Sequence, residues 1–220
     1  MERRLVDDYL NEHKFVLEES MQALGRERLF YVPVNLGYVR ISSLELIAEE
    51  IRKNSVPGAV AELGVYRGDF AKYMNEAFPD KTLYLFDTFE GFSKRDVLIE
   101  EANSYSPGTQ DFSDTNAGLV LDKMIKPDNC VIKKGYFPDS LEGLEDVFAF
   151  VSLDADLYQP IYEGLQYFYP RLSRGGFIFI HDYNNDEYKG VKKAVTDYCN
   201  DQNVPFVPIC DPWGTAVIAK

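Results

Sequence analysis

Three cysteines in 220 residues, none in a C-x-x-C arrangement, leave no disulfide framework and no thiolate zinc site of their own. Cys130, Cys199 and Cys210 read as reduced thiols buried in a cytoplasmic protein. No apolar stretch approaches the ~18 residues of a membrane span. The opening MERRLVDDYLNEHKF has basic residues but no apolar run behind them, so no secretory signal is expected. Cations are also in short supply, with 23 Lys and Arg against 36 Asp and Glu and a net charge of −13. That deficit argues against nucleic acid as a partner, because phosphate neutralisation needs clustered Lys and Arg. It argues equally against an anionic membrane surface. Repeats and low-complexity tracts are absent. Of the two histidines, His13 lies on a charged, helix-like stretch and reads as solvated surface.

What is present is enough chain for one domain with a sizeable core. Residues 1–30 carry apolar positions at helical spacing (Leu5, Tyr9, Phe15, Leu17, Met21, Leu24) and read as one or two amphipathic helices. Residues 31–37 read as a loop, and Ser42 or Ser43 is expected to cap a helix that runs to Lys53. Short apolar runs then alternate with helical patterns. Strands are expected at 59–63, 81–86, 130–133, 147–153, 177–180 and 215–219, and helices at 69–78, 157–172 and 187–199. Gly175–Gly176 is expected to turn the chain before the fifth strand. Pro205 and Pro208 keep residues 204–209 from forming a central strand. Strands apolar on both faces and alternating with helices mean a mostly parallel sheet covered on both sides. The expected organisation is a helical extension or lid at 1–55 and one α/β domain at 56–220.

Residues 88–117 do not fit the alternation. Irregular stretches of roughly 30 residues inside compact domains are usually functional lids or disordered. Phe89, Phe92, Tyr105 and Phe112 argue against simple disorder, so a lid over the site is expected.

In such a sheet, ligands bind beyond the carboxyl ends of the strands. Four expected strands carry an acid there: Glu62, Asp87, Asp154 and Asp182. The first turn reads A-E-L-G-V-Y-R-G. Gly64 allows a tight turn and Gly68 close helix packing, but the middle glycine of the dinucleotide fingerprint is missing. An acid beside the turn would repel a pyrophosphate and suit an ammonium. Asp87 stands where a carboxylate accepts hydrogen bonds from ribose hydroxyls. A nucleoside without phosphates that carries a cationic amino acid fits both acids, which points to S-adenosylmethionine.

The second constellation is D-A-D (Asp154, Asp156) with H-D-Y-N (His181 to Asn184). If their strands are neighbours, Asp154 and Asp182 end about 5 Å apart. Two carboxylates so close repel unless they share a proton or a hard divalent cation. Asp156 has a plainer reading, as the N-cap of the following helix. His181 is open between a ligand, a base and a filled core position.

The segments AELGVYRGDF, LYLFDTFEGF, KKGYFPD, VSLDADLY and RGGFIFIHDY together resemble the macrocin O-methyltransferase (TylF) family. The resemblance runs from about Val56 to the C-terminus and is weakest at 96–108. It implies a Rossmann-like class I methyltransferase sheet with an antiparallel closing strand, dependence on S-adenosylmethionine, and methylation of sugar hydroxyls on natural products. Glu62, Gly64 and Gly68, with Val65 and Tyr66 between them, match the family's cofactor turn. Asp87 matches the ribose-binding acid, with Thr88 and Phe89 beside it. Gly135, Tyr136 and Phe137 match the segment near the adenine. Asp154 and Asp182 match magnesium-binding aspartates, with manganese as the alternative ion. The family commonly has Asp-Asp where this chain has His181–Asp182, which leaves the third ligand between His181 as ligand and as base.

The implied reaction attacks the sulfonium methyl with a metal-chelated sugar or polyol hydroxyl. Asp156, His181 or a metal-bound hydroxide would take the proton. A nicotinamide oxidoreductase, a catechol- or caffeoyl-type methyltransferase, and a cofactor-binding protein without catalysis are the competing readings. Catechol-type enzymes often place a Lys three residues after the first metal aspartate, where this chain has Leu157. The apolar stripe of residues 1–30 suggests either a lid or a homodimer contact.

Overall fold

The structure is a computed structural model that describes residues 37–220. The helices expected in 1–30, His13 and nearly all of the 31–37 loop lie outside the described residues. Helix α1 (Tyr38–Lys53) buries Ile41, Leu44, Ala48 and Ile51, a spacing of three and four that forms one apolar face. It begins four residues before the expected serine cap. The chain turns at Gly37, in the left-handed region (φ 68°), so Ser42 and Ser43 fall inside the helix.

Five parallel strands follow: β1 (Ala59–Leu63), β2 (Leu83–Asp87), β3 (Cys130–Lys134), β4 (Phe148–Leu153) and β5 (Leu172–Ile180). Two more complete the sheet, β6 (Val207–Ile209) and β7 (Thr215–Ala219), in the order β3-β2-β1-β4-β5-β7-β6. Strand β7 runs antiparallel to the other six. The short β6 holds Pro208 and lies at the edge, where a missing N–H costs no ladder bond. Strand β5 starts earlier than expected. Leu172 pairs with Phe148 and Phe177 with Phe150, so Gly175–Gly176 lie within an irregularity of the strand, not in a turn before it.

Helices α2 (Ala71–Ala77), α3 (Lys94–Asn103), α4 (Ala117–Leu121), α5 (Tyr158–Arg171) and α6 (Lys189–Gln202) complete the described elements. Every residue of β1 and β4 is buried, as central strands covered on both faces require. One face packs Phe86, Phe137 and Phe148 around Phe168 of α5, with centroids 4.9 to 5.9 Å apart. The other packs Phe150 against Phe78 and Phe179 at 5.5 and 5.1 Å.

Residues 88–117 are not irregular throughout, because α3 occupies their middle. Its N-cap Ser93 accepts a hydrogen bond from the Arg95 N–H at 3.2 Å. Of the three cysteines only Cys199 is fully buried. Cys130 is half-buried and Cys210 is exposed on the loop after β6, which corrects the expectation that all three are interior. No helix among the described residues is long and apolar enough to cross a membrane.

Candidate functional site

The order of the strands reverses between β1 and β4, which opens a crevice at their carboxyl ends. Backbone hydrogen bonds hold the strand ends in step. Asp154 N–H donates to Leu63 O at 2.8 Å, Gly64 N–H to Phe86 O at 2.9 Å, and His181 N–H to Leu153 O at 3.0 Å. Gly64 is required here. Its backbone is left-handed (φ 87°), and a Cβ would collide with the Asp154 carbonyl oxygen.

Asp87 ties β2 to the turn after β1. One carboxylate oxygen accepts the N–H groups of Val65 and Tyr66, both at 2.8 Å, and the other accepts Phe89 N–H at 2.6 Å. Phe89 contributes only that backbone group, because its side chain is buried outside the crevice. Beside this turn lies a mostly apolar cleft of about 660 Å³, counting its open mouth. Gly64, Tyr66, Asp87, Thr88, Gly135, Tyr136, Asp154 and Asp156 all line it. Gly68 lies behind the cleft with φ 75°, where a Cβ would press Val120 at 3.0 Å.

A second, more polar cavity adjoins the first through Gly64, Tyr66, Phe112, Asp154 and Asp156. Glu62, Arg40, His181, Asp182, Asn185 and Trp213 also line it. His181 Nδ1 lies 3.1 Å from Asp154 Oδ1 and 2.8 Å from Asp182 Oδ2. Arg40 Nη2 donates to Asp154 Oδ2 at 3.0 Å, with its guanidinium stacked 3.9 Å over Phe70. Asn185 Nδ2 donates to Asp182 Oδ1 at 2.8 Å.

The charges in this cavity set one another. Burial alone would raise the Asp154 carboxyl, but Arg40 and His181 outweigh it and hold Asp154 ionised. Burial and Arg40 would lower His181, yet the two carboxylates on Nδ1 lift it to about 9. Asp156 is driven well up by burial first, then by Asp182 and Asp154. Glu62 is likewise driven well up by burial and by Asp154, and its Oε2 is buried without a partner among the described residues. One atom each from Asp154, His181 and Asp182 lie within 4.8 Å of one another. Carboxylate oxygens with one imidazole are a donor set that fits a divalent cation.

Asp156 does not cap α5. Its backbone is left-handed (φ 60°), and the helix has no cap from its own N-terminal residue. The Tyr158 N–H donates instead to Glu100 Oε1 at 2.7 Å, a carboxylate supplied by α3. The segment containing α3 is fastened over the turn after β1. Tyr66 OH donates to Asp114 Oδ1 at 2.6 Å, Arg67 pairs with Asp114, and Thr115 bonds the Tyr66 carbonyl. Phe112 packs edge-on against Tyr66 and Phe92, each at 5.1 Å.

Sequence reasoning brought together Glu62, Asp87, Asp154, Asp156, His181 and Asp182 but missed Arg40, Asp96, Glu100 and Trp213. Arg40 sits 114 residues before its partner, and no local motif marks it. Trp213, the sole tryptophan, is 58% exposed with φ 62° and faces His181 at 6.1 Å. Its rarity was the available signal.

A family model described as Macrocin-O-methyltransferase (TylF) matches residues 6–216. The chain is 29% identical over 211 residues to the 8-demethyl-8-(2,3-dimethoxy-alpha-L-rhamnosyl)-tetracenomycin-C 4'-O-methyltransferase of Streptomyces olivaceus, covering 88% of this chain and 77% of that one. It is 29% identical over 188 residues to the mycinamicin III 3''-O-methyltransferase of Micromonospora griseorubida, covering 79% and 73%. Among solved structures, that of the O-methyltransferase NovP aligns with a TM-score of 0.67 at 22% identity, over 82% of this chain and 79% of that one. At that identity the likeness shows the fold.

Proposed function

The chain belongs to the macrocin O-methyltransferase (TylF) family and is an O-methyltransferase; from that premise we propose that it methylates a hydroxyl of a sugar or polyol-like small molecule. The methyl donor is S-adenosylmethionine, and a divalent cation, magnesium or manganese, assists. The observation that carries this reading is the junction of the two cavities, where Asp154 and Asp156 line both. The more apolar cleft suits a nucleoside, and the acidic cavity suits a cation and a hydroxylated acceptor. The sugar-like acceptor is supported by the Streptomyces olivaceus relative, whose name gives a rhamnosyl-bearing substrate. With family membership established, the oxidoreductase alternative falls away.

Each residue then has a task. Gly64 lets the ligand approach the backbone. Glu62, buried beside it with an open oxygen, faces the cationic amino-acid end of the cofactor. Asp87 stands in the cleft with its oxygens already ordered by three N–H groups, so ribose hydroxyls meet a fixed acceptor. Asp154, His181 and Asp182 would hold the divalent cation, which when bound supplies charge that favours an ionised acceptor hydroxyl. His181 is protonated while both carboxylates grip it, so it acts as a base only after losing that proton. Asp156 is driven toward its neutral form by burial and then by Asp182 and Asp154, and stands where a carboxyl can relay a proton. Residues 88–117 and Trp213 rim the acceptor side and limit water.

A thermal-shift experiment tests the cofactor half directly. S-adenosylhomocysteine should raise the unfolding temperature in a concentration-dependent way and NADH should not. Release of S-adenosylhomocysteine from S-adenosylmethionine, over a panel of deoxysugar glycosides with and without magnesium, tests the acceptor half. Turnover of simple catechols in preference to every glycoside would contradict the sugar reading.

A further inference from the structure

The sheet order β1-β2-β3 sets Gly64, Asp87 and Gly135–Tyr136 in a row along one cleft, about 5 Å apart from strand to strand. On the cofactor reading above, the sulfonium end lies at β1 and the ribose at Asp87. The base therefore extends toward the end of β3. The cleft walls are mostly apolar, with Phe92, Phe137 and Pro160 among them.

The polar groups there are few, and most are already engaged. Thr88 Oγ1 donates to Gly91 O at 2.7 Å, and Ser93 Oγ accepts the Arg95 N–H at 3.2 Å. Tyr136 OH donates to Asp96 Oδ1 at 2.9 Å. Asp96 is only 5% exposed, and its second oxygen carries no hydrogen bond among the described residues. Asp96 lines the cleft, so a ligand there can bring the donor that this oxygen lacks.

We propose that Asp96, oriented by Tyr136, is the base-reading residue of the cofactor cleft and accepts a hydrogen bond from the exocyclic amino group of adenine. This assignment rests on the S-adenosylmethionine reading. It gives residues 88–117 a share in cofactor recognition, because α3 supplies the residue. The ionisation agrees with the geometry. Burial lifts the Asp96 carboxyl to about 6, against the lowering effect of the Tyr136 bond, so at neutral pH it is an anion with one donor. The Arg95 guanidinium lies 5.0 Å over the Tyr136 ring and steadies the pair from outside the cleft.

Isothermal titration of the full chain with S-adenosylhomocysteine and with its 6-deamino analogue, in which hydrogen replaces the amino group, tests this. A site built around a donor rejects the ligand that lacks it. The wild-type chain should bind the analogue roughly 10- to 100-fold more weakly. Asp96→Ala should bind both compounds within about threefold of each other, the expected collapse of a pairwise coupling. Asp96→Asn, which keeps the shape, serves if the alanine variant does not fold, and should narrow the preference without abolishing it. Equal wild-type affinity for the two compounds overturns the Asp96 assignment and leaves the cofactor reading standing. A full preference retained in Asp96→Ala does the same. No binding of either compound by the wild-type chain overturns the cofactor reading and this assignment with it.

Discussion

In the central sheet, the buried side chains are mostly apolar and the acids gather at or near the strand ends. In α3 the arrangement is inverted. Its buried positions are the carboxylates of Asp96 and Glu100, one turn apart, while Leu98 stands 64% exposed. The sheet is held by apolar burial, which is indifferent to ligand and pH. The α3 segment is held by polar contacts: Asp96 to Tyr136, Glu100 to the start of α5, and Asp114 to the turn after β1. Polar docking of this kind is directional and weak in net energy, so such a segment can open and close where a sheet cannot. The chemistry sits where the two meet.

The contrast can be broken at graded points. The largest effect belongs to Asp154→Asn, which should lower methyl transfer at least ~100-fold, as expected for loss of a metal ligand. It should also destabilise the fold, since Arg40, 3% exposed, would keep a buried charge without its partner. Methyl-transfer rate and urea unfolding read the two effects separately. Gly64→Ala should cost about 3 kcal/mol or more, because both the left-handed backbone and the Asp154 carbonyl reject a Cβ. Thermal unfolding checks it.

Asp96 gives a pH test. Its folded carboxyl titrates near 6, above its ordinary value of 3.8, so the unfolded chain releases the proton first. The Asp96 contribution to stability should therefore be greatest below about pH 4, fall as pH rises to about 6, and stay level above. The loss is at most about 3 kcal/mol. Asp96→Asn should remove that fall and unfold at a higher temperature than wild type at neutral pH, even as it weakens cofactor binding. Denaturant midpoints across pH read it, and a variant as pH-dependent as wild type would count against the buried anion. Glu100→Ala should cost roughly 1–2 kcal/mol, the usual loss for a helix cap. At the small end, Leu98→Ala should fall within about 0.5 kcal/mol of wild type despite its apolar character, as exposed positions do.

The same inversion explains what could be read from the chain. The strands of the sheet were legible because apolar runs of five or six residues bounded by Gly and Asp have few other solutions. The strand-end acids followed from the strand ends. The N-terminus of α1 was misplaced because its start depends on Gly37 and not on either serine. Helix α3 was invisible because hydrophobic periodicity looks for apolar residues, and its buried stripe is made of carboxylates. Arg40 and Glu100 act across long sequence separations, on Asp154 and on Tyr158, and only the folded chain brings each to its partner.

The central claim is that Asp154, His181 and Asp182 form a divalent-cation site beside the cofactor cleft. Titration of manganese into the chain with S-adenosylhomocysteine present, followed by electron paramagnetic resonance, tests it most directly. The account predicts one manganese bound per wild-type chain and none at the same concentrations in Asp154→Asn/Asp182→Asn. Equal manganese binding by the double variant, or none by wild type, would contradict it.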